Sequence, residues 1–131
     1  MDKQEVLMRA QSIQQEYQQV NENLNYISNQ IDELETFKES LSTLIKSESN
    51  EMLASIGRGV YAKSELKEKK LFVEIGAGII IRKNPEQVKD IIESQVSKLK
   101  SIKANLRGRI EVLNSEMMSL VNAIQAQKSQ E

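Results

Sequence analysis

The sequence predicts an α+β chain: a long antiparallel helical coiled-coil hairpin, with two tandem β-hairpins between its helices that assemble with other subunits into an oligomeric β-barrel platform. Three observations lead there. A 3.5-residue apolar repeat runs through both flanks of the chain. Its middle is rich in β-branched residues, and a Gly-x-Gly element occurs twice within that middle.

The first helix is expected over residues 1–47. Its apolar positions step alternately by four and three: Val6, Ala10, Ile13, Tyr17, Val20, Leu24, Ile27, Ile31, Leu34, Lys38, Leu41 and Ile45. Only Lys38 breaks the series. A repeat of this length marks a coiled-coil seam, not the broader stripe of a globular surface helix. No Gly or Pro interrupts it.

The middle segment, residues 51–83, abandons that period. Met52–Ile56, Val60–Leu66, Leu71–Ile75 and Ile79–Ile81 read as four short strands, with Lys67-Glu68-Lys69-Lys70 as a charged turn. Ile56-Gly57-Arg58-Gly59-Val60 and Ile75-Gly76-Ala77-Gly78-Ile79 repeat one pattern, and each Gly-x-Gly supplies a bulge or sharp bend between strands. In alternation, Tyr61, Phe72 and Ile80 fall on the face opposite Val60, Val73 and Ile81. Strands apolar on both faces are buried on both faces. Sheets this small cannot enclose a core of their own. The assembly residues are therefore Ile56, Val60, Tyr61, Phe72, Val73, Ile75, Ile79, Ile80 and Ile81.

The second helix is expected over residues 84–126. Asn84 is a suitable N-cap, Pro85 suits the first helical position and Gln87 completes a capping box. Its seam is Ile92, Val96, Leu99, Lys103, Leu106, Ile110, Leu113, Met117, Leu120 and Ile124. Gly108 is a local weak point. Glu22, Asp32, Glu33, Glu35 and Glu39 against a single Lys38 face Lys98, Lys100, Lys103, Arg107 and Arg109 against a single Glu93. Matching the two blocks in an antiparallel hairpin makes facing residue numbers sum to about 131. The plain alternative is that these charges are solvated faces.

Near both termini the apolar content exceeds what a two-helix seam uses. The candidates for contact with other proteins are Val6, Leu7 and Met8 on the first helix, and Met117, Met118, Leu120, Val121 and Ile124 on the second. Methionine is flexible and polarizable and suits contact with many unrelated sequences. The ordinary reading of any one of them is a residue beside the seam.

Composition narrows the function classes. The chain has no Cys and no His, so thiolate chemistry, disulfides and imidazole catalysis are excluded. Its formal net charge of -1 provides no overall basic field for nucleic acid. The Gly-x-Gly elements lead into strands and lack the continuation of a phosphate loop. No paired carboxylates or metal-ligand spacing stand out, so no enzyme, no cofactor and no metal are expected. There is no membrane-length apolar run and no signal-peptide core, which makes a cytoplasmic protein the expectation.

Long helix, two hairpins joined through Ile-Gly-x-Gly, long helix: this pattern resembles the α-class subunit of the prefoldin family of archaea and eukaryotes. The resemblance is carried by Ile56-Gly57-Arg58-Gly59-Val60-Tyr61-Ala62-Lys63 and by Val73 through Lys83, and it covers essentially the whole chain. Ala54-Ser55 stands where the family commonly has Val-Pro. The resemblance implies a hexamer of two α-class and four β-class subunits. It implies coiled-coil tips that hold non-native proteins, the clients, without ATP and deliver them to a group II chaperonin; carried onto this sequence, the client-contacting tip residues are Val6, Leu7, Met8, Ile13, Met117, Met118, Leu120, Val121 and Ile124. It also implies an archaeal source. The alternatives are a coiled-coil adaptor or tether for one partner and, more remotely, an RNA-binding arm.

Overall fold

The computed structural model describes residues 2–129; residue 1 and residues 130–131, at the ends of the expected domain, lie outside the described residues. The element order is α1 (Lys3–Lys46), β1 (Glu51–Gly57), β2 (Val60–Glu65), β3 (Leu71–Gly76), β4 (Ile79–Lys83) and α2 (Pro85–Ser129). The strands match the expected ones to within two residues, and α2 continues three residues past the expected end at Ala126. The chain divides into two compact units, one holding the residues up to Asp32 and from Ser97 onward, the other Glu33–Val96.

The first, terminal unit consists of helix alone. Its core is Val6, Ile13 and Val20 of α1 packed with Leu113 and Leu120 of α2. Ala10, Leu106, Ile110, Met117 and Ile124 pack against that cluster. The α1 members are seven residues apart, as are the two from α2, which is the spacing that keeps one seam facing a partner helix. The helices run antiparallel here: Val6 shares a groove with Ile124, whereas Tyr17, further along α1, shares one with Leu113, earlier in α2. Asp2 caps α1: its carboxylate accepts from the N–H groups of Gln4 at 2.6 Å and Glu5 at 3.2 Å. These are orphan donors of the first turn, and a carboxylate there also complements the helix dipole.

The second unit carries both hairpins. Asn84 and Gln87 form the expected capping box at the start of α2. The Gln87 N–H donates to Asn84 Oδ1 at 2.8 Å, and the Asn84 N–H to Gln87 Oε1 at 3.1 Å. Pro85, Val88, Ile92 and Val96 are buried, as is Leu41 of α1. β1 pairs only with β2 and β3 only with β4, both antiparallel, giving two separate two-stranded sheets.

The two hairpins are built alike. Ser55 opposes Tyr61 and Gly57 opposes Val60, so Ile56 is the extra residue of a bulge. In the second hairpin Glu74 opposes Ile80 and Gly76 opposes Ile79, so Ile75 takes that place. Each turn has two central residues at positive φ: Arg58 at 51° and Gly59 at 78°, then Ala77 at 50° and Gly78 at 74°. Two consecutive positive φ angles are the mark of the type I′ turn, whose twist matches that of the strands. The expected Gly-x-Gly bend is thus a bulge and a turn together.

The linker between the hairpins is held at two points. Lys69 donates to the carbonyl of Ser47, just past the C-terminus of α1, where a cation is favoured by the helix dipole. Glu68 pairs with Arg82 of β4.

Candidate functional site

Two surfaces carry exposed apolar side chains, one in each unit, and they arise differently. In the strands the alternation of side chains decides. On the second hairpin, Phe72 lies on one face with Ile80, while Val73 faces Ile81 directly across the strands on the other, as expected. Val73 and Ile81 are partly covered. Phe72 is 69% exposed and Ile80 61%. On the first hairpin Tyr61 and Val60 are exposed, and so are the bulge residues Ile56 and Ile75 and the strand residue Ile79.

Leu53 and Met52 are also exposed but were not among the expected assembly residues. Leu53 opposes Lys63 and shares its face with Tyr61. The signal was present: Leu53, Ser55 and Tyr61 follow from two-residue alternation once the Ser55–Tyr61 register is known. Without the register, the alternation could be assigned only within each strand.

In the terminal unit, helix rotation sorts the nine candidate client-contacting residues. Val6, Ile13 and Leu120 are buried in the core, and Met117 and Ile124 pack partly against it. These five hold the two helices together, and the first three are almost wholly buried. Leu7, Met8, Met118 and Val121 are exposed, Met8 at 69% and Met118 at 66%. The division follows from geometry: each residue turns 100° about the axis, so the neighbour of a seam residue points away from the partner helix.

The exposed residues border shallow grooves. One of about 300 Å³ is floored by Val6, Leu7, Ala10 and Ile124 and edged by Lys3, Gln127 and Lys128. A second, more open groove of about 460 Å³ lies between Met117, Met118 and Val121, with Asn114 and Asn122 beside them.

Each unit holds an ion pair between its two helical segments. Lys38 Nζ lies 3.5 Å from Glu93 Oε1, so the odd base of the acidic block pairs with the odd acid of the basic block. Their numbers sum to 131, the expected value. In the terminal unit Arg109 contacts Glu16 Oε1 through both Nε and Nη2 at 2.7 Å, a sum of 125. Long side chains reach diagonally along a helix, so apolar packing, not ion pairing, sets the register there. The hydrogen bond from Arg109 holds the Glu16 carboxyl below its ordinary pKa, and the same bond raises that of Arg109. Both groups are exposed, so the pair orients more than it stabilises.

Among the described residues, no group of His, Cys, Asp and Glu is placed to hold a metal ion, and no helix is long and apolar enough to cross a membrane. Among the described residues, no polar or charged side chain is buried in the core. What the arrangement presents is apolar contact surface.

Comparison with known proteins fits this geometry. The family model described as prefoldin subunit matches residues 13–130. This chain belongs to the prefoldin family. A curated relative, prefoldin subunit alpha of Pyrobaculum calidifontis, is 26% identical over 116 residues, covering 84% of this chain and 87% of the relative. The fold is similar to that in a cryo-EM structure of filamentous prefoldin from Methanocaldococcus jannaschii, with a TM-score of 0.71 at 17% identity, over 92% of this chain and 98% of that one. The prefoldin fold, two long helices with two β-hairpins between them, is the one described above.

Proposed function

We propose that this chain is an α-class prefoldin subunit that works as an ATP-independent holding chaperone. Family membership supports the role of a chaperone subunit, and the α class is supported by the two tandem hairpins and by the relative named prefoldin subunit alpha. The hairpins join the chain to β-class subunits in a hexamer of two α and four β. Phe72, Ile80, Tyr61, Leu53 and the bulge residues Ile56 and Ile75 are covered there, with Val60, Val73, Ile79 and Ile81 completing the strand contacts in a β-barrel platform. Isolated two-stranded hairpins are marginal in water, which supports their completion by partners. Clients are non-native proteins, passed on to a group II chaperonin in the cytoplasm.

The observation that carries the holding function is the row of exposed Leu7, Met8, Met118 and Val121 beside a seam that is already filled. These residues are not needed to hold the helices together, so they are available for another chain. Each contact is small, and several helix ends acting on one client give avidity while allowing release without nucleotide.

The test is light scattering of two unrelated denatured proteins diluted into buffer without ATP, with and without the assembled complex. Suppression of both is expected, and it weakens when Leu7, Met8, Met118 and Val121 are changed to Ser. Undiminished suppression by that variant would move the client surface elsewhere. No suppression despite a hexameric mass would leave an adaptor for one specific partner.

A further inference from the structure

The two grooves of the terminal unit differ in what frames them. The groove floored by Val6, Leu7, Ala10 and Ile124 is bordered by two ammonium groups, Lys3 and Lys128, and among the described residues its lining contains no acid. The nearby carboxylate of Asp2 is engaged with the first-turn N–H groups of α1. The groove along Met117, Met118 and Val121 is bordered instead by the neutral amides of Asn114 and Asn122.

We infer that the lysine-framed groove takes apolar segments of non-native chains in which acidic side chains flank the apolar residues. The inference rests on the helix ends being the client surface. The apolar floor contributes attraction in proportion to area removed from water and does not discriminate by charge. Lys3 and Lys128 line that groove, and a lysine beside an apolar surface can cover it with its methylene stem while its charge stays in water. A carboxylate beside the seated residue meets opposite charge there, whereas a lysine in the same place meets like charge. The amide-framed groove has no such bias, so one end of the chain presents a charge-selective and a charge-neutral surface.

The test uses the assembled complex and fluorescent peptides of about ten residues with one apolar centre flanked by Glu, Gln or Lys, read by anisotropy. At low salt the Glu-flanked peptide binds about three- to ten-fold more tightly than the Lys-flanked one, the scale of one or two exposed ion pairs. The ratio falls toward one in about 0.5 M salt, where such charges are screened. It also falls in the Lys3→Gln/Lys128→Gln variant, while affinity for the Gln-flanked peptide is kept. Equal affinities for the three peptides, or a ratio unchanged in that variant, overturns the inference alone. Failure of every peptide to bind overturns it together with the client surface.

Discussion

The exposed apolar residues of the helices and those of the strands look alike as a catalogue but have different origins. At the terminal grooves, the exposed helix residues lie within two positions of a buried one: Leu7 and Met8 follow Val6, and Met118 and Val121 flank Leu120. The helix pair has already satisfied its seam, and these side chains are surplus to it. On the strands there is no comparable core. Each hairpin is a separate two-stranded sheet, and Phe72 and Ile80 stand exposed on a face with nothing over it. The first kind of surface can remain wet and act intermittently. The second is the one that the proposed assembly would cover. An exposed residue thus has to be read against what its own element has already buried.

The sharpest way to break the comparison is at the strands. Phe72→Asp with Ile80→Asp should abolish the assembled mass on native mass spectrometry with the proposed β-class partner, while far-UV circular dichroism retains the helical signal. An intact assembly would show that this face is not the one covered. The helices provide the next contrast. Leu113 is 0% exposed, so Leu113→Ala should lower stability in urea by about 2–5 kcal/mol. Leu7→Ala should change it by no more than about 0.5 kcal/mol. Equal losses would mean that Leu7 belongs to the core and not to a surface.

Smaller effects sharpen the picture at the backbone. Gly78 sits at φ +74° with nothing within 4 Å of where a Cβ would be. Gly78→Ala should therefore cost about 1 kcal/mol through conformation alone, seen as a lower melting temperature of the assembly. Gly108 lies within α2 in equally open space, and Gly108→Ala should stabilise by about 0.5–1 kcal/mol. The smallest effect concerns pH. Glu16 has its pKa lowered by Arg109, so its contribution is present above the ordinary carboxylate range and fades as pH falls through the lowered value. In Glu16→Gln this slight acid sensitivity should disappear from the melting curve.

Much of this was legible in the sequence, for physical reasons that differ by region. The seam could be read because a 3.5-residue period admits one partner-facing line, and Val6, Ile13, Val20, Leu41, Leu113 and Leu120 are buried on it. The Asn84–Gln87 capping box is a local motif and needs no tertiary information. The strands and turns were legible from β-branched runs and glycine placement. The division of the client candidates was not fully drawn from the pattern, although the heptad positions of Val6, Ile13 and Leu120 implied their burial. Leu53 was missed because faces can be matched across a hairpin only when the register is fixed, and the Ile56 bulge shifts it. The Lys38–Glu93 pair was hidden because counting charges by block discards the exceptions, and here the exceptions meet.

The seven-residue spacing of Val6, Ile13 and Val20, answered by Leu113 and Leu120, makes arm length an adjustable quantity. Adding one heptad to α1 and one to α2 at facing points would restore the same seam about 10 Å further along. Neither the hairpins nor the terminal grooves would need a changed residue. A helical pair of this kind works as a ruler with fixed graduations, and its length could evolve, or be engineered, in whole heptads without disturbing the seam.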